Sequence, residues 1–274
     1  MAATWKGSIS FGLVSIPVEL HAAVTENRPH FRLLHAKDKS PVSYERVCQR
    51  EGKSVEWADI VKGYEYSKGK FVVLTKEDLK AAAVERSTSV EILDFVKHEE
   101  IDDRFFDTSY YAVPGKGGER GYAVLREAIR KSDRIGIGKI VLRESEHLAA
   151  LLVVEDALVL TLMRFGNELV DVERFKFPSS REVRPKELEM AKMLIDSLAE
   201  DWKPEKYKDD YQANLMRIIK AKLRGKEPEL KVEPQPRQGE VVDLMERLRQ
   251  SLAARGKSTS GSAAGARKKR RAAA

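Results

Sequence analysis

The chain has one cysteine and no long apolar run, and each shortage excludes a class of protein. A single cysteine, Cys48, leaves no partner for an intrachain disulfide and is typical of a protein of the reducing cytosol. No run of about 18 apolar residues occurs, so no segment is predicted to span a membrane. Lys6, Ser8 and Ser10 interrupt the first 20 residues, which therefore lack the apolar stretch of a signal peptide.

Signatures of catalysis are also scarce. The histidines are scattered, and His30 and His35 lack the four-residue spacing of a helical zinc pair. The segments GKGG (115–118) and GIGK (136–139) lack the full spacing of a phosphate-binding loop and are interpreted as turns. The acidic run Glu99–Asp103 is a candidate for Mg²⁺ in a metal-dependent nuclease. Because consecutive carboxylates alternate between the faces of a strand, a solvated acidic turn is favoured, and the chain is predicted not to be an enzyme.

The first two thirds of the chain are rich in strand patterns. Apolar residues of the opening segment, WKGSISFGLVSIPVEL, occupy odd positions up to Leu13 and even positions from Val14. This change of parity predicts one bent strand, with Gly7 and Gly12 easing the bend. Further strands are predicted within residues 69–75, 89–96, 108–115, 139–143 and 148–165, and one amphipathic helix within 119–134. Many strands with one or two helices predict a barrel or sandwich with inserts.

The remainder of the chain changes character three times. Residues 181–226 have helical spacing, with Pro185 at a helix start. A proline-rich linker is predicted at 227–239, an amphipathic helix at 240–255 and a disordered basic tail at 256–274. A helix of that length is marginal alone in water, so it is predicted to dock, either on its own domain or on another protein. Its apolar stripe consists of Val241, Leu244, Met245, Leu248 and Leu252.

Charge is distributed unevenly along the chain. The formal net charge of +7 comes mostly from the tail, whose six Lys and Arg residues have no acidic neighbour. Residues 28–76 contain eleven basic residues (Lys or Arg) and six acidic ones (Asp or Glu). Residues 85–107 contain three basic and eight acidic residues. A basic face on a β scaffold suits a phosphate backbone, and without regular aromatic interleaving it suits duplex more than single-stranded nucleic acid. Solvation of strand faces by Lys and Arg is the equally open alternative.

Several motifs in order resemble the bacterial Ku proteins of non-homologous end joining. After the opening segment, the resemblance is carried by FRLLHAKD (31–38), DIVKGYEY (59–66), FVVLTKEDL (71–79), VEILDFV (90–96) with EID (100–102), SYYAVP (109–114), YAVLREAI (122–129) and GKIVLRESEHLAAL (138–151). Together these motifs cover about residues 1–180. The resemblance implies a mainly β fold with α, in which a Ku-type β-barrel at 1–180 carries an extended arm at about 28–85.

The resemblance also implies a function. Two such arms close a ring around double-stranded DNA in a homodimer, which binds DNA ends without sequence specificity and recruits an ATP-dependent DNA ligase, ligase D. Such a protein needs no cofactor, acts in double-strand break repair, and is expected in the cytoplasm at the nucleoid. The rivals are a general architectural or RNA-binding β-barrel protein and the metal-dependent nuclease.

Site residues follow from the basic and apolar positions of the expected arm and from the C-terminal segments. Apolar arm residues are predicted at the dimer interface, and the apolar stripe of residues 240–255 is predicted to bind the ligase. Glu51 stands where some relatives have a second cysteine, so no metal is predicted beside Cys48. The dimer residues are Val42, Tyr44, Val47, Val55 and Ile60. The predicted DNA contacts are Arg28, Arg32, Lys37, Lys39, Arg46, Arg50, Lys53, Lys62, Lys68 and Lys70, with Lys257, Arg267, Lys268, Lys269, Arg270 and Arg271 in the tail.

Overall fold

The chain folds as two compact units in the computed structural model. One unit is Met1–Val172 and the other is Glu173–Ala274. The structure describes residues 2–25, 28–82, 88–143 and 145–225. The predicted linker, the 240–255 helix and the basic tail therefore lie outside the described residues.

The first unit is built on a closed seven-stranded barrel. Its strands are β1 (Trp5–Phe11), β2 (Val14–Ala22), β5 (Ser89–Val96), β6 (Phe106–Pro114), β7 (Ile135–Leu142), β8 (Ser145–Val154) and β9 (Ala157–Met163), and a separate two-stranded sheet is formed by β3 (Lys62–Ser67) and β4 (Lys70–Leu74). The order around the barrel is β1-β2-β6-β9-β8-β7-β5. The parallel pairing of β5 with β1 closes it, and the other neighbours are antiparallel. The predicted mainly β fold with a barrel core is confirmed.

The opening segment is a hairpin, and the predicted single bent strand is wrong. β1 and β2 pair antiparallel through a two-residue turn at Gly12 and Leu13, with Ile9 opposite Ile16. In this register each odd-numbered residue faces an even-numbered one, so a two-residue turn itself changes the parity of the apolar face. Gly12 has a φ of +55°, which the turn requires and glycine adopts without strain.

The main core lies within the barrel and includes one helix. Ile9, Leu20, Leu151 and Leu158 are fully buried among the strand residues of this core. The helix α2 (Glu119–Ser132) adds Tyr122, Leu125 and Ile129 to the same core, as its apolar spacing predicts. The Leu158 N–H donates to the Tyr122 hydroxyl at 2.7 Å, which ties the helix to β9.

The two glycine-rich segments differ in structure. Residues 115–118 form a turn, as predicted, with Gly117 at a φ of +81°. The segment GIGK lies inside β7, so its interpretation as a turn is wrong. A Cβ added to Gly138 would lie 2.2 Å from the Glu91 carbonyl oxygen, because β5 approaches β7 closely beside a bulge between Ile92 and Asp94. Glycine is present there to allow close strand approach.

The second unit contains two helices at the predicted places. The helices are α3 (Pro185–Leu198) and α4 (Asp210–Leu223). Pro185 occupies the first turn of α3, where its missing N–H leaves no bond unmade, and the Asp209 carboxylate caps α4 by accepting from the Gln212 N–H. In the connection between them, the rings of Trp202 and Tyr207 stack with their centroids 5.0 Å apart.

Candidate nucleic-acid interface

The chain leaves the barrel after β2 and returns at β5, and the excursion between them is the candidate interface. We call residues 28–82 the arm; it contains β3, β4 and the short helix α1 (Lys76–Ala82). Within the arm no residue is buried, whereas the barrel has a complete core. The arm is therefore a surface with little interior of its own.

The ten cations predicted to contact DNA in the arm are all exposed, but two of them are engaged within the arm. The Lys39 ammonium donates to the Ala36 carbonyl at 2.6 Å, and the Arg46 guanidinium lies 4.4 Å from the centre of the Trp57 ring. None of the other eight side chains makes an ion pair or hydrogen bond with a described residue. Their charges are therefore available to an external anion.

The arm exposes many more apolar side chains than the five that were predicted at the dimer interface. Val42, Tyr44, Val47 and Ile60 are exposed and Val55 is half-buried. Sequence reasoning missed a larger group, namely Phe31, Leu33, Leu34, Trp57, Val61, Tyr64, Tyr66, Phe71, Val72 and Val73, all exposed. The run Phe71–Leu74 has the pattern of a core strand, and this pattern does not distinguish a strand of the barrel from a strand of the arm.

The β3–β4 hairpin carries apolar side chains on both of its faces. Tyr64 pairs with Val72 on one face, and Glu65 pairs with Phe71 on the other. Tyr64 and Phe71 are 65% and 60% exposed, so neither face is covered by the part of the chain that the structure describes. An isolated two-stranded hairpin is at best marginally stable in water. Exposed apolar side chains on both faces are typical of an element that is completed by a partner.

The arm also contains two turns of the same construction. In the first turn (residues 33–42) Leu34 bridges to Pro41, and in the second turn (residues 46–55) Val47 bridges to Ser54. Both turns also share two backbone hydrogen bonds. In the first turn the His35 N–H donates to the Ser40 carbonyl and the Lys39 N–H donates to the His35 carbonyl. In the second turn the Cys48 N–H donates to the Lys53 carbonyl and the Gly52 N–H donates to the Cys48 carbonyl. Lys39 and Gly52 have φ values of 61° and 66° at equivalent positions.

Asp38 stabilises the first turn. Its carboxylate accepts from the Ser40 N–H at 3.1 Å and from the Ser40 hydroxyl at 2.8 Å, and His35 Nδ1 lies 3.0 Å from the same oxygen. The Ser40 N–H, the Ser40 hydroxyl and His35 lower the pKa of Asp38, because all three interactions favour the ionised form. The ionised carboxylate therefore holds the turn closed.

The acidic run of the nuclease hypothesis has a structural role. Ile101, together with Phe105, packs against a second apolar cluster that contains Ile135 and Met163, so the run is anchored to the barrel. Asp102 is engaged by Arg104, whose Nη2 and Nε donate to it at 2.7 and 2.9 Å. These bonds lower the pKa of Asp102 to about 2.

The described part of the chain contains neither a cluster of metal-binding side chains nor a helix that could span a membrane. Within residues 2–225, apart from the gaps given above, no three His, Cys, Asp or Glu residues are grouped so as to hold a metal ion. Over the same residues, no helix has the length and apolar character needed to cross a membrane. The tail cations and the five residues predicted to bind a ligase lie beyond residue 225 and outside this description.

Comparison with known proteins identifies the family. The family model described as the Ku70/Ku80 beta-barrel domain matches residues 10–190. Non-homologous end joining protein Ku of Opitutus terrae is 45% identical over 254 residues, which cover 92% of this chain and 91% of that protein. The proteins of the same name from Cupriavidus necator and Bacillus subtilis are 43% and 41% identical, over 97% and 92% of this chain and 81% and 82% of theirs. The chain belongs to the family of bacterial non-homologous end joining proteins Ku.

Proposed function

We propose that this protein is a homodimeric ring that binds the ends of linear double-stranded DNA without sequence specificity and serves non-homologous end joining at the nucleoid. The observation that carries the proposal is the arm, an exposed surface with free cations and uncovered apolar side chains on a closed barrel. The relatives from Opitutus terrae and Cupriavidus necator, at 45% and 43% identity, are named for non-homologous end joining, which supplies the repair process.

Dimerisation through the arm accounts for the exposed apolar side chains. A pair of identical arms related by a two-fold axis covers the same residues on both protomers. Val42, Tyr44, Val47, Val55 and Ile60 remain the predicted contacts, and Phe71 and Val73 of the β3–β4 hairpin join them. Neither face of this hairpin is covered by another described residue of the chain, and the second copy supplies the missing cover.

DNA binding without sequence readout accounts for the charge. Lys and Arg side chains that contact phosphates position a protein on a duplex but read no base. The eight arm cations that have no partner among the described residues meet this requirement. A closed ring is threaded only over a free end, so selectivity for ends comes from topology and needs no catalytic group.

Ligase recruitment is assigned to the 240–255 segment. Its apolar stripe, with Leu244 and Leu248 at its centre, is the surface proposed to bind an ATP-dependent ligase of the ligase D type. Substituting both leucines by Asp is expected to abolish stimulation of end joining by that ligase and to leave DNA binding unchanged. Full stimulation by a folded double variant would contradict the assignment.

The basic tail is proposed to add phosphate contacts beside the ring. Truncation after Arg255 removes Lys257 and the cluster 267–271, which is six cations in each protomer. Because each phosphate contact adds about 0.9 to the slope of log K against log salt, we expect weaker binding and a shallower slope. Affinity and slope that match the full chain would remove the tail from the interface.

A competition gel shift at about 0.1 M salt tests the central proposal. Labelled linear duplex bound to the protein is challenged with excess closed circular plasmid, and then with the same plasmid linearised. Competition by linear DNA alone supports a threaded ring. Equal competition by both forms indicates ordinary electrostatic contact and favours the general architectural protein, and competition by RNA favours the RNA-binding rival. Cleavage of duplex on addition of Mg²⁺ would favour the nuclease.

A further inference from the structure

The two arm turns are copies of one sequence pattern. Residues 34–42, LHAKDKSPV, and residues 47–55, VCQREGKSV, align without a gap. In this alignment Leu34 corresponds to Val47, Lys37 to Arg50, Asp38 to Glu51 and Val42 to Val55. The bridges, the backbone hydrogen bonds and the positive φ also coincide, so the likeness in sequence is matched by a likeness in structure.

Most of the shared positions are explained by the turn itself. Leu34 and Val47 form the bridges, and Lys39 and Gly52 occupy the left-handed position. The acidic position closes the first turn through Asp38. Each of these residues serves the local geometry of its turn.

The shared basic position is different because its side chain contributes no ion pair or hydrogen bond to the described turn. Lys37 and Arg50 are exposed, and neither makes an ion pair or a hydrogen bond with a described residue. By contrast, the neighbouring Lys39 ammonium donates to the Ala36 carbonyl. A cation that recurs at the tip of both turns without a local role indicates an anionic ligand outside the chain.

We propose that the two arm turns are equivalent phosphate-binding units, which place Lys37 and Arg50 on the phosphodiester backbone of duplex DNA. This inference rests on the proposed function and specifies which arm cations perform it. The apolar residues at the base of each turn, Leu34 and Val47, are exposed on the same units. Each turn thus offers a cationic tip to DNA and an apolar base to the second protomer.

The experiment measures the salt dependence of binding to a blunt linear duplex by fluorescence anisotropy for Lys37→Gln and Arg50→Gln. Each lost contact lowers the slope of log K against log salt by about 0.9, hence by about 1.8 in a dimer. The two variants are expected to lower it equally, and Arg50→Lys, which keeps the charge, is expected to restore it. Lys39→Gln is the matched control, since it removes one charge from the same turn and is expected to change the slope by less than half as much.

The outcomes separate this inference from the proposed function. An effect of Lys39→Gln as large as that of Lys37→Gln, an effect of only one tip, or an effect of neither would overturn the inference. The preference of the wild-type protein for linear over closed circular DNA, read in the same assay, tests the proposed function independently. Light scattering checks that the variants keep the assembly state of the wild-type protein, as expected when exposed side chains are replaced.

Discussion

Gly138→Ala is a direct test of how closely β5 approaches β7 in the barrel. The Cβ introduced on β7 would lie 2.2 Å from the Glu91 carbonyl oxygen, 2.9 Å from its carbonyl carbon and 3.1 Å from the Ile92 Cα. Carbon and oxygen normally approach no closer than about 3.3 Å, so the strands must separate by about 1 Å. All three atoms belong to the backbone of β5, so no side-chain rotation relieves the contact.

The cost of this substitution follows from the rigidity of a closed sheet. Overpacking typically costs about 1–3 kcal/mol, and a displacement that disrupts strand pairing lies at the upper end. Replacing glycine restores about 0.4–1 kcal/mol through the unfolded chain. We expect a net loss of about 2 kcal/mol from the free energy of unfolding, a substantial part of the roughly 5–15 kcal/mol typical of a domain.

Gly136→Ala provides a matched control on the same strand. Its Cβ would meet only side-chain atoms, Ile92 Cγ2 at 3.2 Å and Phe95 Cε1 at 3.3 Å. Small rotations of these side chains relieve the contact, so we expect a change within about 1 kcal/mol. The comparison therefore isolates the backbone contact from the general effect of replacing glycine in a strand.

The assay is urea unfolding at a fixed protein concentration, followed by the fluorescence of Trp5. Trp5 packs against the barrel core, so replacing the other two tryptophans, Trp57 and Trp202, by Phe confines the signal to the barrel. The m-value should stay constant while the midpoint falls. A Gly138→Ala protein with the same midpoint as Gly136→Ala would refute the close approach of β5 to β7.

Two further predictions concern charge and assembly. Arg104→Gln should raise the pKa of Asp102 from about 2 toward its ordinary value of 3.8, as measured by carboxyl ¹³C NMR. Because the folded-state pKa is lowered, the ion pair stabilises the fold above about pH 4, and that stabilisation is lost as the pH falls toward 2. The variant keeps the backbone N–H of residue 104, which also donates to Asp102, so it should lose part of this pH dependence; an unchanged titration would contradict the ion pair. If the proposed homodimer is correct, Phe71→Asp should weaken it at least about 100-fold in sedimentation, because the proposed isologous interface would lose two buried rings worth about 1.5–3 kcal/mol each, whereas Leu13→Asp at the exposed hairpin turn should leave it intact.

Local patterns predicted individual strands and helices well where the spacing of apolar residues fitted only one kind of secondary structure. The strand predicted at 89–96 coincides with β5, and Tyr122, Leu125 and Ile129 are the buried face of α2. The change of parity before Val14 was ambiguous, because a bulge and a two-residue hairpin both move the apolar face to positions of the other parity. Only the pairing of Ile9 with Ile16 distinguishes them.

The candidate interface was harder to predict because its features depend on neighbours distant in sequence. No spacing rule indicates that Arg46 lies over Trp57, eleven residues away, or that GIGK sits beside a bulge in β5. The repeat of 34–42 in 47–55 was visible in the sequence and gave the available signal for the two turns. Its meaning needed the structure, since only the hydrogen bonds separate residues that build the turn from those that do not.

The route of the chain around β1 makes the arm a replaceable module. β2 and β5 are the two neighbours of β1, and the arm leaves from one and returns to the other at the same end of the barrel. The end of β2 and the start of β5 are therefore separated by two strand positions around the barrel. A short loop spans that distance as readily as the arm does, so arms of different length can be exchanged on one barrel without repacking its core. The barrel scaffold and the surface that the arm presents can therefore change independently of each other.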